Sequence, residues 1–474
     1  MRRNPWLSLA VLAFAQFRVV LDVTIVNVAL PSIQTNLAFS TDGLQWVVSA
    51  YTLMFGGFLL LGGRIADLFG RRRLFIVGLA LFSGASLVAG LSGSAAMLIA
   101  ARAVQGLGGA LLSPAALSLL TVTFPQGSER NVALGIWGAL AGIGGTLGVV
   151  AGGLLVDGIG WEWVFFVNVP IGLALIALAP RLIAESRLEE RGRGGIDFTG
   201  AVLGTAGLLA LVFGVVRAGP LGWGSAEVIA CLALGVALMA AFFAVERRAA
   251  EPLVPMRIFG SRGLRVATPA LALNGGAFLG MFFLTAIFLQ QVRGASALVT
   301  GLQLLPMGVA AVIAAVAASN LVTRFGVRPI QIAGALLSVA GLLLLAQVDA
   351  GTSYVGGLLP ALVVFGAGIV SIGVPAQIAA VADFTTADAG AASGVVTAGY
   401  QVGGALGLAL ITTLSDSRVT DALAGGSSQA DALVAGFHRG LLVAAAFAAV
   451  NVVLALLTPQ ISPTQEQLAE AVVV

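Results

Sequence analysis

The chain has 474 residues, 59% of them hydrophobic and 9% charged, with a formal net charge of +3 and a mean hydropathy of +1.03. No water-soluble protein of this size covers its surface with so few charges, so the composition describes a polytopic membrane protein. The single cysteine, Cys231, excludes an internal disulfide framework, and the single histidine, His438, excludes a histidine-cluster metal site.

Apolar stretches of about twenty residues cross the ~30 Å hydrocarbon layer as helices. They predict fourteen helices, at 8–30, 45–66, 74–92, 96–121, 132–156, 163–180, 197–217, 226–246, 264–292, 299–322, 329–347, 354–381, 390–413 and 436–458. The first carries Asp22 and no cleavage-type site follows it, so it reads as a retained helix. All the basic residues are arginine. With the N-terminus inside, the cytoplasmic loops hold Arg2, Arg3, Arg71, Arg72, Arg73, Arg130, Arg324, Arg328 and the arginines of segments 181–197 and 247–265. The opposite side holds only Arg217, Arg293, Arg418 and Arg439. This bias predicts both termini in the cytoplasm of a multi-pass protein of the inner (plasma) membrane. The pI of about 9.7 follows from these loops and implies no nucleic-acid partner. Segment 414–435, rich in Gly, Ser and Asp, is expected to be the longest external loop, and 459–474 a short tail.

An internal repeat organises the helices. Residues 63–72 align without gaps on residues 319–328, the first copy joining helices 2 and 3 and the second joining helices 10 and 11. Two six-helix halves, 1–196 and 251–474, then flank an insertion of two helices within 197–250. Parallel repeats of this kind place a substrate cavity between the halves near the midplane.

Four segments carry candidate chemistry. Asp22 lies deep in helix 1, where a carboxylate costs roughly 2.5–3.5 kcal/mol to insert and therefore marks a functional site. Arg18 stands one helical turn earlier on the same face. Either it pairs with Asp22 within the helix, or it reaches the inner interface or a water-filled cavity and leaves Asp22 unpaired. The loop at 63–75 reads G-x-(I/L)-A-D-x-x-G-R-R-x-x-F, with Gly63 and Gly70 permitting a tight turn and close helix approach, and Asp67 able to cap a helix or pair with an arginine such as Arg71. Helix 4 buries Arg102 with Gln105 and Gly106 one turn on, and that positive charge bears on proton binding at a nearby carboxylate. Helix 5 carries a glycine stripe with Gly144, Gly148, Gly152 and Gly153, and helix 13 a similar one with Gly394, Gly399, Gly403, Gly404 and Gly407, suited equally to packing and to gating. Trp161-Glu162-Trp163 has the look of an aromatic belt at the outer end of helix 6.

Together these segments resemble the major facilitator superfamily, specifically its fourteen-helix drug:proton antiporter branch, over essentially the whole chain. The loop at 63–75 matches that superfamily's first signature, and Arg102 with Gln105 and Gly106 matches its helix-4 signature. The run Leu21-Asp22-x-Thr24-Ile25-Val26-Asn27-Val28-Ala29-Leu30-Pro31 and the run Trp161-x-Trp163-x-Phe165-x-x-Asn168-Val169-Pro170-x-Gly172 are similar to markers of the branch itself. The sequence departs from the pattern at four places. Val149 follows Gly148 where a proline is usual before Gly152, Arg18 stands where an apolar residue is usual, Glu162 replaces an arginine, and Tyr400 occupies a position often basic.

The resemblance implies an all-α membrane protein of two six-helix halves plus two inserted helices, working by alternating access. It implies a proton-coupled antiporter, not an enzyme, that exports lipophilic, often cationic, drugs or antibiotics in exchange for protons. Asp22, Arg102 and Arg18 would be the proton-coupling residues. Gly63, Asp67, Gly70, Arg71, Gln105, Gly106, Gly148, Val149 and Gly152 would serve the gate and its signatures. Asn27, Asn274, Phe282, Phe283, Gln290 and Gln303 are the candidates for lining a substrate cavity. No cofactor is implied, and no Gly-x-x-x-x-Gly-Lys-Ser/Thr loop is present to bind ATP. A proton symporter or uncoupled facilitator for a specific metabolite is the alternative, and a membrane sensor or scaffold a more remote one, since the chain has no sizeable soluble domain.

Overall fold

The structure is a computed structural model, and it describes residues 4–39, 41–124, 128–186, 198–249, 252, 254–384 and 386–460. Among the described residues it is all-helical, with no strand. The helices are α1 (Pro5–Asn36), α2 (Thr41–Phe69), α3 (Arg71–Gly90), α4 (Ala95–Thr123), α5 (Ser128–Gly158), α6 (Trp163–Phe166), α7 (Asn168–Leu182), α8 (Phe198–Leu221), α9 (Ala226–Glu246), α10 (Arg262–Ile287), α11 (Ala297–Phe325), α12 (Val327–Leu345), α13 (Leu359–Val381), α14 (Thr386–Ala424) and α15 (Gln429–Leu457). Twelve of the described spans are long and apolar enough to cross a membrane, α6 and α7 together forming one of them. α2 and α5, whose apolar stretches Trp46–Leu59 and Leu147–Gly158 are shorter, occupy the second and fifth places of the fourteen expected.

Several helix starts follow from sequence. Asn4, Ser94, Ser261, Ser296 and Ser428 each accept a backbone N–H of the first turn of the helix they precede, which satisfies donors that have no partner inside the helix. One expectation fails here. The external loop predicted at 414–435 is mostly helix, because α14 runs on to Ala424 and α15 begins at Gln429. Polar residues at the C-terminal end of α14 extend the helix beyond its apolar part, with the Thr420 hydroxyl donating to Asp416 O. Gly426, at φ +87°, and the Ser428 cap then make the turn within a few residues.

The protein divides into two compact units, one of residues Met1–Phe213 with Ala230–Met256 and the other of Gly214–Ile229 with Arg257–Val474. Within the first, α1 packs on α5, α2 and α3 pack on α4, and α3 packs on α7. Within the second, α10 packs on α14, α11 and α12 pack on α13, and α12 packs on α15. The same pairing scheme therefore serves both. The sequence repeat falls at matching junctions, with Gly70 (φ +108°) between α2 and α3 and Gly326 (φ +82°) between α11 and α12. Only glycine takes that backbone conformation without strain, which accounts for the repeat being readable there.

The glycine stripes bring helix backbones together. A Cβ at Gly148 would stand 2.8 Å from Leu21 O, and one at Gly152 3.0 Å from Ile25 O, so α5 lies directly on α1. Gly403 and Gly407 do the same for α14, against the backbone of Ala272 and Gly276 in α10. Van der Waals contact between closely approaching backbones is the main packing attraction where the solvent is lipid. Val149 is buried beside Gly148, and α5 runs through it as one continuous helix. The close approach expected at Gly63 falls instead at its neighbour Gly62, whose Cβ would meet Ala110 O, while a Cβ at Gly63 would make ordinary contact with Pro114 at 3.6 Å.

Gly106→Ala should lower the thermal stability of the purified protein, since its Cβ would fall on Tyr51 O and overpacking costs about 1–3 kcal/mol. Gly84→Ala, with nothing within 4 Å of its Cβ, should be neutral or stabilising, by up to ~1 kcal/mol of helix propensity. Equal melting shifts for the two would contradict this packing account.

Candidate functional site

Three charged residues are buried together in the first unit. Asp22 and Arg18 are 0% exposed and Arg102 is 1% exposed. α1 presents Arg18 and Asp22 on one face, α4 presents Arg102 and Gln105 three residues apart, α3 presents Ser83 and Ser86 at the same spacing, and Asn168 opens α7. Short side chains bridge these helices only because the backbones are close. A Cβ at Gly106 would collide with Tyr51 on α2, and one at Gly108 would come within 2.6 Å of Phe82 N on α3.

The Asp22 carboxylate accepts three hydrogen bonds. Arg102 Nη1 donates to Oδ2 at 2.6 Å, while Gln105 Nε2 and Asn168 Nδ2 donate to Oδ1 at 2.7 and 2.8 Å. Arg102 is itself held firmly, donating through Nε to Val47 O at 2.9 Å and through Nη1 to Gln105 Oε1 at 2.7 Å. Its guanidinium lies 4.4 Å from the centre of the Tyr51 ring and 5.9 Å from that of Phe165, a favourable placement for a cation over an aromatic face. Gln105 Nε2 also donates to Ser86 Oγ at 2.7 Å, tying α3 into the cluster. Charge-assisted bonds of this kind are about twice as strong as neutral ones. They compensate a carboxylate that would otherwise be very costly in so dry a place.

Arg18 follows neither of the two expected courses. Its described hydrogen bonds run to α3 and α7, Nη1 donating to Ser83 Oγ at 3.0 Å and to Asn168 O at 3.4 Å. The guanidinium lies 4.4 Å from the Phe82 ring centre, deep in the protein and away from any interface. Nε and Nη2 have no hydrogen-bond partner. The intrahelical pair does not form because the Asp22 oxygens turn toward α4 and α7. Gly172 makes room for Arg18, since a Cβ there would overlap both Nη1 and Ser83 Oγ.

The signature loop docks elsewhere in the same unit. Arg71 N donates to Ser186 O at 2.9 Å, and Arg72 N donates to Glu185 Oε1 at 3.0 Å. Arg72 Nε and Arg73 Nε lie 3.6 and 3.9 Å from Glu185 Oε2, and Arg72 Nη1 donates to Ile183 O. Glu185 thus fastens the turn at Gly70 to the segment leaving α7. The Asp67 side chain lies outside the described residues, as do Arg2, Arg3, Arg187, Arg191, Arg193 and the tail from 461.

The remaining candidates are spread out. Asn27 has a buried Oδ1 without a partner. In the second unit, Asn274 donates to Ile369 O at 3.2 Å and leaves Oδ1 unpartnered, Phe282 is buried on the same helix, and Phe283 is half-buried beside it. Gln290 sits in a π-helical turn, Phe288–Val292, at the end of α10, while Gln303 on α11 has a buried, unpartnered Oε1. Of the two tryptophans in the expected aromatic belt, only Trp163 is exposed. Trp161 is buried, its ring edge-on to Phe165 at 6.2 Å.

Sequence reasoning did not assign Asn168, Ser83, Ser86, Tyr51 or Glu185. Asn168 had a signal, since it ends the Trp-x-Trp-x-Phe-x-x-Asn run. The serines recur at helical spacing in an apolar helix and were visible only in that weak sense. Glu185 lay in a connector whose partner no local pattern reveals.

The family model of the Major Facilitator Superfamily matches residues 12–408, and again 278–470. The chain belongs to the Major Facilitator Superfamily. This transporter is 41% identical over 451 residues to the puromycin resistance protein of Streptomyces alboniger, covering 94% of this chain and 88% of that one. It is 40% identical over 412 residues to the cephamycin export protein of Amycolatopsis lactamdurans, covering 86% and 85%. Among solved structures, a bacterial homologue of the human lysosomal transporter Spinster matches with a TM-score of 0.65 at 16% identity, covering 98% of this chain and all of that one. That likeness is one of fold. Membership of a transporter family identifies the protein as a membrane carrier and not an enzyme.

Removing one partner of a buried ion pair costs about 3–5 kcal/mol, whereas replacing both is often near neutral. Arg102→Met should therefore lower the melting temperature strongly, and Asp22→Asn combined with Arg102→Met should recover much of the loss. Additive losses in this double-mutant cycle would mean that the pair contributes no coupling.

Proposed function

We propose that this transporter exports lipophilic, often cationic, drugs or antibiotics in exchange for protons, and that Asp22 is the group that takes up the proton. The observation that carries this reading is the buried ion pair between Asp22 and Arg102. A carboxylate in a transmembrane helix, facing the protein interior and paired, is the usual mark of a proton or ion pathway. Protonation cancels the negative charge and leaves Arg102 without its counter-ion, so the contact between α1 and α4 differs between the two protonation states. A ligand or proton moves a conformational equilibrium only through such a difference. One elementary charge moved across 100 mV supplies about 2.3 kcal/mol, enough to drive a useful gradient. The names of the relatives, which concern puromycin resistance and cephamycin export, favour drug-like cargo and outward transport.

In this cycle a proton enters from outside, neutralises Asp22 and releases the drug, and its loss to the cytoplasm resets the carrier. Arg102 serves as the counter-charge and Gln105 and Asn168 hold the carboxylate. The turn at Gly70 with Arg71 and Asp67 acts as the cytoplasmic latch, and Glu185 anchors it. Asn27, Asn274, Phe282, Phe283, Gln290 and Gln303 contribute to drug contact as alternating access exposes the site to each side. The protein resides in the inner (plasma) membrane with both termini in the cytoplasm, the positions its arginine-rich loops favour.

Proteoliposomes under an imposed pH gradient, challenged with a panel of cationic and neutral drugs, test the reading. Drug-triggered proton release that disappears in Asp22→Asn is the expected result. Drug flux without proton movement would replace antiport with facilitated export. Drug and proton moving in the same direction would make the protein a symporter.

A further inference from the structure

Asp22, when ionised, accepts three hydrogen bonds and offers none. When protonated it gains an O–H donor, and a buried donor without an acceptor is costly. The surroundings therefore have to supply an acceptor in one protonation state that they do not use in the other.

Most acceptors around the carboxylate are already engaged. Gln105 Oε1 accepts from Arg102 Nη1, Val47 O accepts from Arg102 Nε, and Ser86 Oγ accepts from Gln105. Two buried acceptors here have no partner, Tyr51 Oη and Asn168 Oδ1, and Asn168 is the residue already bonded to the carboxylate. Its Nδ2 donates to Asp22 Oδ1 at 2.8 Å, while its Oδ1 has no partner although the residue is 0% exposed. A half-turn of the amide about its last rotatable bond exchanges these two atoms. That half-turn gives up only a long bond to Val164 O, at 3.4 Å, besides the one to the carboxylate. The backbone meanwhile belongs to the first turn of α7, with Arg18 Nη1, itself bonded to Ser83, near Asn168 O at 3.4 Å. Among the described residues, the other charged or titratable groups in electrostatic reach of Asp22 are Arg18 on its own helix, Tyr51 on α2 and Arg102 on α4. α3 and α7 present uncharged Ser83, Ser86 and Asn168 to the cluster.

We infer that Asn168 is the positioning residue that senses the proton: its amide group donates to the ionised Asp22 and turns over to accept the O–H of the protonated one. The inference rests on Asp22 being the proton site. It assigns to the Asn168 of the tryptophan-bearing run a role in stabilising both protonation states, so that neither is left with an unmatched group in a dry interior. The orphaned Oδ1 is the acceptor held in reserve.

Infrared difference spectra of the full-length protein in lipid, recorded as the pH is lowered, read this directly. The band of protonated Asp22 is identified by its absence in Asp22→Asn. In Asn168→Leu that carboxylic C=O band should move to higher frequency, because its O–H has lost an acceptor. Drug-dependent proton release should fall roughly tenfold or more, the loss expected for one hydrogen bond to a charged group. If Asn168→Leu does not fold, wild-type protein carrying asparagine labelled at the amide carbonyl answers the same question. A labelled amide C=O band should then shift with Asp22 protonation and be silent in Asp22→Asn. An Asp22 band unaltered in Asn168→Leu, or a labelled amide unresponsive to pH, would overturn the role of Asn168 while leaving Asp22 as the proton site. Absence of any Asp22 carboxylic band at every pH that the protein withstands would remove the proton site itself, and this role with it.

Discussion

The buried pair of Asp22 and Arg102 is the constraint on which the first unit is built. A carboxylate and a guanidinium with 0% and 1% exposure persist only when each finds its counter-charge and its remaining hydrogen bonds. That requirement draws α1 to α4 and recruits Gln105, Ser86 and Asn168 from three helices. It leaves one positive charge, Arg18, to be accommodated by an aromatic face, a hydroxyl and a backbone carbonyl. Two guanidiniums thus surround one carboxylate in a dry interior, and the balance changes whenever the carboxylate takes up a proton. A helix bundle whose internal contacts depend on one titratable group has the physical means to couple a proton to its own shape.

Such a cluster needs backbones that approach closely, and glycine provides this in both units. Gly148 and Gly152 seat α5 on α1, and Gly403 and Gly407 seat α14 on α10. In the first unit Gly106 and Gly108 bring α4 against α2 and α3, near enough for a short side chain such as that of Asp22 to meet its partners. The pairing scheme recurs in the second unit, yet the charged cluster does not, since α10 offers Asn274 in the same general region of the helix and no carboxylate. The repeat therefore preserves packing while the chemistry is concentrated on one side.

Much of the architecture was legible from residue type and spacing. The helical spans, the matched turns at Gly70 and Gly326 and the buried placement of Asp22, Arg102 and Gln105 all come from strong local signals: apolar length, a glycine-bearing repeat, and polar groups where they are costly. The failures have equally definite causes. The C-terminal end of α14 was read as a loop because its residues are polar, but polarity alone does not end a helix. Gly63 was named and Gly62 was not, because motif spacing does not say which face of α2 meets α4. One-turn spacing left Arg18 with two courses, pairing with Asp22 or reaching an interface or cavity, and it takes neither, because Arg102, Gln105 and Asn168 from other helices occupy the carboxylate.

By itself the sequence determined that this protein is an all-helical membrane carrier with an internal repeat, and it singled out an acid and an arginine placed where charge is costly. Those properties reside in composition, in periodicity and in single residues whose cost in lipid is high wherever they point. Only the tertiary structure decided the partners: Arg102, Gln105 and Asn168 for Asp22, Ser83 and Phe82 for Arg18, and Glu185 for the loop at Gly70. Hydrogen bonds act over about 3 Å and depend on helix rotation and approach. A linear pattern carries neither for residues separated by 80 or 146 positions.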